Sequence, residues 1–454
     1  MSASCKGVDR IALVRRSPGE TTVVLVEDAQ PVEIHVCRDH RPSAGSILLG
    51  RVHQILPGGR AALLDVGAAD FALLPCVAGF ASNQAGQRDA GLALGAVFPV
   101  QVTHEARQGK GVKVSASPSF SGPSMALLPH APGVAFPKNL ESPDVERLQS
   151  WACRVLKEHE GIVFRPASLS MDEHDLDSEL SALRQRFQNV QNGDIDRPCF
   201  LQTVLTGRTV ERVVCDSSQL ALQMRMHGWD VDVHHRSEDL LSLYGFDDAL
   251  DAALSSHVPV PGGGCIWIEQ TAALTAIDVD SDGHEPRLVN QAAVAEIARH
   301  VRLRSLSGMI VIDFIAEVAY PRRVKKRLAA DLAAHVSDAV VPTEVLGVSA
   351  LGLVEMRRRR SHPPLSDLFI DISLDRKVAL PEACALGVLR ELACQLRRCT
   401  PHTSHVPTLH VSADIHALLT GSLSSAVSEF TRQNGVKPAL QVIPGVSSDY
   451  CVIG

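Results

Sequence analysis

Two apolar segments of the sequence each end in an aspartate: residues 276–278 end in Asp278 and residues 311–313 end in Asp313. If the segments are neighbouring strands of one sheet, both carboxylates lie together at its edge. Carboxylate oxygens are the ligands that Mg²⁺ prefers, and it usually takes one or two of them from the protein while water and substrate phosphate complete the octahedron. The pair therefore predicts a magnesium site, with Mn²⁺ as a substitute, that suits phosphodiester cleavage.

Further charged residues surround this pair along the sequence. Asp280, Asp282 and Glu317 are close enough to support the two aspartates. Positive charges at a helix start oppose the helix dipole, so the basic residues that flank both segments favour an anionic partner. These basic residues are Arg299, Arg302, Arg304, Arg322, Arg323, Lys325, Lys326 and Arg327. The alternatives are that the aspartates cap a helix or turn and that the basic residues form a solvated face.

A run of four arginines follows an apolar segment, at Arg357, Arg358, Arg359 and Arg360. Such a run either binds RNA phosphates or forms a solvated linker, and the sequence leaves both interpretations open. Nearer the end of the chain, a cluster of thiols and imidazoles spans seventeen positions: Cys394, Cys399, His402, His405 and His410. Its spacing matches no standard zinc pattern, so exposed loop residues are expected there and a structural zinc is not.

The composition limits the classes of protein to consider. With 454 residues, 45% of them hydrophobic, the chain has material for about three domains. The net charge of -7 means that any binding of nucleic acid has to depend on local basic patches. Eleven cysteines without a CxxC pair, and no charged-then-apolar leader, favour a reducing cytoplasm. No apolar run is long enough to predict a membrane span.

The elements that must position these residues follow from periodicity. Strand-like segments separated by turns recur at 11–14, 22–26, 47–55, 61–66, 71–74 and 97–103, which is typical of a small five-stranded barrel of the OB type. Residues 118–137 are rich in Pro, Ser and Gly and predict a linker or ordered loop. From residue 261, strands alternate with helices, at 290–303 and after Pro321, which predicts an α/β layer.

Three long segments of the sequence resemble one known protein family. The triple glycine at 262–264 is followed by EQTAALTAIDVDS, then by AEIARHVRLRSLSGMIVIDFI, then by LGLVEMRRRR. In this order and spacing they resemble the bacterial ribonuclease E/G family. The early stretch ILLGRVHQILPGGRAALLDVG is similar to its OB-fold RNA-binding module, and FTRQNGVKPALQVIP to its small dimerisation domain. The long scaffold tail of the larger members is not expected here.

The resemblance implies a multidomain fold of the α+β and α/β classes. An OB-fold barrel (41–117) would be inserted in an RNase H-like unit (1–40 and 196–258), with a 5′-end-sensing region at 118–195. A DNase I-like α/β catalytic domain (259–361) and a small C-terminal α/β domain (362–454) would follow.

The implied function is a magnesium-dependent endoribonuclease that cuts single-stranded RNA in rRNA maturation or mRNA turnover. One alternative is an RNA-binding paralogue with weak or lost catalysis, and another is an enzyme that acts on a different phosphodiester such as DNA. The family's two metal-binding aspartates fall on Asp278 and Asp313. Its orienting asparagine falls on Asp280, which we expect to support catalysis or to add a metal ligand.

The resemblance also implies sites for RNA. A 5′-phosphate pocket falls on Gly122 and Arg165, whose alternatives are a loop glycine and a surface ion pair. A threonine and a valine of that pocket are Pro166 and Ala126 here, which weakens the expectation of a preference for a 5′-monophosphate. Lys110 matches an RNA-contacting lysine, the alternative being a solvated charge.

Two further departures concern the barrel and the dimer. The family's stacking phenylalanines are Leu63 and Leu73, and Phe71 lies on the same strand face as Leu73. Phe71 is therefore the expected stacking residue. The cysteine pair that shares a zinc across the family dimer is absent from residues 361–364, so a homodimer would depend on other interfaces.

Overall fold

The computed structural model describes most of the chain, and it divides into two compact units. The described residues are 10–57, 61–67, 70–75, 92–107, 110–137, 142–205, 207–226, 228–235, 238–316, 321–337, 340–360, 362–371, 378–398 and 406–453. One unit comprises Met1–Arg41 and Phe200–Gly454, and the other comprises Pro42–Cys199. Along the chain, the second unit is therefore inserted in the first. Within the described part, no helix is long and apolar enough to cross a lipid bilayer.

The first described residues form a three-stranded meander of β1 (Arg10–Ser17), β2 (Glu20–Glu27) and β3 (Gln30–Arg38). The predicted barrel segments 11–14 and 22–26 lie in β1 and β2. These strands pair with each other, and β1 also pairs in parallel with a strand that follows residue 200. They are not part of the barrel, because the spacing of strands and turns does not reveal which sheet a strand joins.

The inserted unit contains the predicted barrel. It is closed by β4 (Ile47–Ile55), β5 (Ala61–Asp65), β6 (Ala72–Pro75), β7 (Val97–His104) and β8 (Lys113–Ser115) in the order β4-β5-β6-β8-β7. Alternate side chains such as Val52, Leu64 and Phe98 fill the interior and leave their neighbours on the outer surface. The expectation of a five-stranded barrel is confirmed.

The inserted unit continues with a small α+β layer. Its elements are β9 (Phe120–Ser121), β10 (Met125–Leu128), β11 (Gly133–Ala135), α1 (Ser142–Val155), β12 (Gly161–Phe164) and α2 (Glu173–Gln191), with strand order β11-β12-β10-β9. The prediction of a linker or loop at 118–137 is wrong, because three of these strands lie there. Phe120, Trp151 and Phe164 anchor the core against Leu180 of α2.

The chain then completes the first sheet. It adds α3 (Phe200–Leu205), β13 (Arg212–Cys215), α4 (Ser218–Met226), β14 (Val231–Val233) and α5 (Phe246–Leu254). The five strands have the order β14-β13-β1-β2-β3, in which β1, β13 and β14 are parallel. Residues 10–38 are thus held to residues beyond Phe200 by backbone hydrogen bonds.

A six-stranded layer follows, and it carries the predicted aspartates. It contains β15 (His257–Pro259), β16 (Cys265–Gln270), β17 (Thr275–Asp280), α6 (Pro286–Leu303), β18 (Gly308–Asp313), α7 (Pro321–His335), β19 (Thr343–Val348) and β20 (Val354–Arg358). The strand order is β15-β16-β17-β18-β20-β19. Helices α6 and α7 pack on one face, where Ile277, Ile297, Ile312 and Leu332 are fully buried, whereas alternate residues of the opposite face are exposed.

The C-terminal part is a second small α/β assembly. Its elements are α8 (Ser366–Phe369), β21 (Ile370–Asp371), β22 (Val378–Ala379), α9 (Pro381–Arg398), β23 (Thr408–Val411), α10 (Ala413–Thr420), α11 (Ser424–Asn434), β24 (Ala439–Val442) and β25 (Cys451–Ile453). Leu389, Leu409 and Phe430 lie in its core. The mixed α+β class is confirmed, while the RNase H-like and DNase I-like names and the domain boundaries stay predictions.

Candidate active site

The two strand-ending aspartates lie side by side. Strands β17 and β18 are parallel neighbours, and their register pairs Asp278 with Asp313. The side chains of a strand alternate between faces, so Asp278, Asp280 and Asp313 all lie on the face opposite α6 and α7. The sheet brings together the pair that the sequence predicts.

The exposed face of the sheet around the two aspartates carries both apolar and acidic side chains. Trp267 of β16 is the register partner of Asp278 on its other side and is 40% exposed. A cavity of about 520 Å³ lies over this row, and it is lined by Trp267, Glu269, Ala276, Ile277, Asp278, Val311, Asp313 and Leu353. The exposed indole gives this cavity a flat apolar wall beside two carboxylates, which suits a ligand with an aromatic base and a charged group.

The electrostatics of the pair indicate a need for positive charge. Partial burial raises the pKa of Asp278, and the nearby charges of Asp313 and Asp280 raise it further. Lys325 of α7 places its Nζ 2.8 Å from Oδ1 of Asp313, and its side chain is largely buried. This ion pair offsets one of the three negative charges, so a cation would relieve the repulsion that remains.

The donor set fits a hard divalent cation. Mg²⁺ commonly takes one or two carboxylate ligands from a protein, and water and phosphate oxygens complete its coordination shell, so two adjacent carboxylates suit it. Within the described ranges no group of three or more His, Cys, Asp or Glu side chains is arranged to hold a metal, so Asp280 does not form a three-residue donor set with Asp278 and Asp313, and the pair alone offers the protein ligands. Glu317, a predicted supporting residue, lies outside the described residues.

Of the basic residues predicted to flank the two aspartates, some lie at the site and others stabilise the fold. Lys325 is at the site. Arg302 donates to Glu27 and Glu33, and Arg304 donates to His300 and to the Ala252 carbonyl, so both are structural. Their positions in the sequence gave no sign of this difference.

The run of four arginines is divided by strand alternation. Arg358 is buried and donates to the carbonyl of Leu306 at 3.0 Å, so its side chain does not face solvent. Arg357 lies on the open face, where it pairs with Glu344 at 2.8 Å. Arg359 and Arg360 are exposed. The RNA-binding role of Arg357, Arg359 and Arg360 stays a prediction, whereas the burial of Arg358 argues against that role for this residue.

In the barrel, Leu63 and Leu73 are cross-strand partners on the outer surface. Phe71, just before β6, is 44% exposed and stacks on the ring of His53, with the centroids 4.1 Å apart and the planes at 14°. Sequence reasoning missed His53. It is the extra residue of a bulge in β4, between the pairs Val52–Leu64 and Gln54–Leu63, and a bulge redirects a side chain out of the regular alternation.

Basic residues lie in β8 of the barrel and just before it. Lys110 is exposed, and the next residue, Gly111, lies so close to the Phe71 carbonyl that a Cβ would be 2.6 Å from its oxygen. Lys113 is the register partner of Leu73 and is also exposed. The predicted residues Phe71 and Lys110 are thus close in the fold, and we call His53, Phe71, Lys110 and Lys113 the barrel platform.

The predicted 5′-phosphate residues are also brought together. The Arg165 N–H donates to the Ser124 carbonyl at 2.8 Å, and the Gly122 N–H donates to the Met125 carbonyl at 2.8 Å. However, the carboxylate of Glu179 accepts from the N–H groups of Ser124 and Met125, at 3.0 and 3.2 Å, and from the Ser124 hydroxyl at 2.5 Å. A Cβ on Gly122 would lie 2.1 Å from Glu179 Oε1, so the glycine admits this carboxylate.

The thiol and imidazole cluster stays untested as a zinc site. Cys394 is buried in α9 and accepts from Arg397, and His410 lies on β23. Cys399, His402 and His405 lie outside the described residues, as does Ser361 of the segment that replaces the family's cysteine pair. The expectation that no structural zinc is bound stays a prediction.

A family model described as the Ribonuclease E/G family matches residues 119–361, more than half of the chain. The chain belongs to this family. The match includes the sheet of Asp278 and Asp313 and the layer of Gly122 and Arg165.

Curated relatives extend the similarity beyond that segment. Ribonuclease G of Escherichia coli (strain K12) is 28% identical over 390 residues, which cover 77% of this chain and 79% of the relative. Ribonuclease G of Haemophilus influenzae is 26% identical over 400 residues, or 79% of this chain and 81% of the relative. Ribonuclease E of Nostoc sp. is 27% identical over 398 residues, or 78% of this chain and 56% of the relative.

Proposed function

We propose that this protein is a magnesium-dependent endoribonuclease that cleaves single-stranded RNA, with rRNA maturation or mRNA turnover as its setting. The observation that carries the proposal is the in-register pair of Asp278 and Asp313 on the open face of its sheet. Membership of a family whose curated relatives are named ribonucleases supports it.

Asp278 and Asp313 would hold the metal, and Asp280 would support them. A metal held there would activate the attacking water and would neutralise the charge that builds on the phosphate in the transition state. Lys325 holds Asp313 in place and compensates part of the negative charge. Trp267 offers an aromatic surface next to Asp278 on which a nucleobase can stack, so that the neighbouring phosphate is held over the carboxylates.

RNA is held by local basic and aromatic groups, as the negative net charge requires. The barrel platform combines stacking rings with lysines, and Arg357, Arg359 and Arg360 add positive charge in the other unit.

We also propose a cytoplasmic location, because the cysteines show no disulfide pattern, and a homodimer that forms without a zinc link. The runner-up, an RNA-binding paralogue with weak or lost catalysis, is favoured by the loss of both phenylalanines at Leu63 and Leu73.

We expect little preference for a 5′-monophosphate. Glu179 already uses the two backbone N–H donors near Gly122, and its negative charge repels a phosphate. Glu179→Gln removes that charge with little change in shape. The ratio of the cleavage rate on 5′-monophosphorylated RNA to the rate on 5′-hydroxyl RNA should therefore be up to about tenfold higher in the variant than in the wild type. The increase is no larger because solvent screens the charge of Glu179. The measurement is the ratio of initial cleavage rates on the two RNAs.

Glu173→Gln is the matched control, because Glu173 is an exposed residue of the same helix. It should leave the ratio of rates unchanged. A strong monophosphate preference in the wild type, or the same ratio in Glu179→Gln, would show that Glu179 does not block the pocket.

The proposal is tested by gel-resolved cleavage of a single-stranded, AU-rich oligoribonucleotide. Cleavage should occur with Mg²⁺ or Mn²⁺ and stop in chelator, while the same sequence as duplex DNA should stay intact. RNA that is bound but never cut under any metal condition would instead support the binding paralogue. Cleavage of the DNA at a comparable rate would favour the wider phosphodiesterase interpretation.

A further inference from the structure

A second row of side chains crosses the exposed face of the six-stranded sheet, two residues along the strands from the aspartate pair. Glu269 of β16 is the register partner of Ala276 in β17. Ala276 is in turn the partner of Val311 in β18, and Val311 is the partner of Glu355 in β20. Ala276 and Val311 are half-buried, whereas the two glutamates are exposed. The row is therefore an apolar floor with a carboxylate at each end.

The cavity of about 520 Å³ beside the aspartate pair extends over this row. Its lining includes Glu269, Ala276 and Val311 as well as Trp267, while Glu355 is not among the lining residues. Trp267 and Glu269 lie on the same face of β16, two positions apart, which is about 7 Å along a strand. A nucleobase is of similar width, so one base can contact the indole, the apolar floor and the Glu269 carboxylate together.

The indole of Trp267 is supported from the side away from the aspartates. His257, its register partner in β15, packs against it with the ring centroids 4.9 Å apart and the planes at 70°. The indole nevertheless stays 40% exposed and lines the cavity. It therefore offers a supported aromatic surface to a base that lies over the floor.

The carboxylate of Glu269 makes no polar contact that would stabilise the described fold. It has no hydrogen-bond or ion-pair partner in the described part of the chain, whereas Asp313 is paired with Lys325. In the same part of the chain it also forms no three-residue donor set for a metal with the aspartate pair. A carboxylate only accepts hydrogen bonds, so a ligand that it recognises in this cavity has to present N–H groups.

We propose that Glu269 selects the base of the RNA nucleotide that lies over the aspartate pair, an inference that rests on the proposed endoribonuclease function. The carboxylate would accept from the exocyclic amine of adenine, cytosine or guanine, as carboxylates accept from the N4 amine of cytosine. Uracil presents the O4 carbonyl in place of that amine, and the carboxylate repels it. RNA with an amino base at this position is thus preferred over RNA with uracil.

Homopolymers test this preference without knowledge of the cleavage position. The substrates are RNA decamers of adenosine, of uridine and of purine riboside, which differs from adenosine only by the absent N6 amine. With Mg²⁺, the adenosine decamer should be cut faster than the other two. Glu269→Gln keeps the size of the side chain and adds an N–H donor for O4 of uracil. It should therefore lower the ratio of the rate on adenosine to the rate on uridine by about tenfold.

Glu355→Gln is the matched control, because Glu355 is the exposed carboxylate at the other end of the row and does not line the cavity. It should keep the wild-type ratio of rates. An unchanged ratio in Glu269→Gln, or an equal fall in both variants, would overturn the proposal. A loss of rate in Glu269→Gln that is the same on all three decamers and is restored by more Mg²⁺ would indicate a metal ligand, which also overturns it.

Affinity separates this inference from the proposed function. Anisotropy titrations of the same decamers in chelator give the ratio of dissociation constants without any cleavage. If the wild type binds the decamers and cuts none of them, the endoribonuclease function fails. A binding preference for adenosine that Glu269→Gln removes and Glu355→Gln keeps would then still support base selection. The absence of that preference in a protein that does not cleave would overturn base selection as well.

Discussion

Asparagine in place of Asp313 should slow metal-dependent cleavage of single-stranded RNA by about 10³-fold, or about 4 kcal/mol in the barrier. The substitution keeps the size of the side chain and an oxygen that can accept from Lys325, so the fold should persist. It removes a negative charge that the proposed metal needs. Single-turnover cleavage of an end-labelled oligoribonucleotide measures the rate, and fluorescence anisotropy in chelator measures RNA affinity, which should not fall.

Asp278→Asn should give the same result, because Asp278 is the register partner of Asp313. Asp331→Asn is the matched control, since Asp331 is an exposed aspartate on α7, which also carries Lys325. Calorimetry with Mg²⁺ or Mn²⁺ should reveal a site in the wild type that the double variant lacks. Cleavage by Asp313→Asn within tenfold of the wild-type rate would exclude this carboxylate from the reaction.

A loss of RNA affinity equal to the loss of rate would have another meaning. It would indicate that the aspartates maintain the RNA surface and not the chemical step. The wild type could also bind RNA without any metal-dependent cleavage, and that result would favour the paralogue that has lost catalysis. The two measurements together therefore separate the leading hypothesis from its runner-up.

The aspartate pair could be found from the sequence because its signal is local. Alternation in residues 275–280 separates buried Ile277 and Val279 from Asp278 and Asp280, and each strand is bounded by turns or a helix. What the sequence does not show is strand order, and only the parallel pairing of β17 with β18 makes Asp278 and Asp313 neighbours. The family resemblance implies the same pair, because the two metal-binding aspartates of the family fall on these positions.

The roles of individual residues depend on contacts that a linear pattern does not contain. Lys325 lies in a run of basic residues of α7, yet it is the one that reaches Asp313. Glu179 contacts Ser124 across 55 positions of sequence. Arg358 is different, because the alternation of β20 already separates its face from that of Arg357. The alternation in the sequence therefore already predicts that Arg357 and Arg358 lie on opposite faces, although all four residues of the run carry the same charge.

The aromatic stack of the barrel leads to the second large effect. Phe71→Leu keeps an apolar side chain and removes the ring that a base would cover. Because stacking of a base on an aromatic ring contributes about 1–3 kcal/mol, the Kd for single-stranded RNA should rise by about tenfold or more. His53→Ala should also weaken binding, since His53 supports the Phe71 ring at a centroid distance of 4.1 Å. Anisotropy titrations in chelator, with cleavage blocked, provide the measurement.

Salt dependence distinguishes stacking from charge at this surface. Phe71→Leu should leave the slope of log affinity against log salt unchanged, because no phosphate contact is lost. Lys110→Gln should reduce that slope by about 0.7, the value for one contact to a single strand. His174→Ala is the control, because His174 is an exposed histidine at the start of α2, outside the barrel. Unchanged affinity in both Phe71→Leu and His53→Ala would remove stacking from the barrel and leave Trp267 as the aromatic candidate.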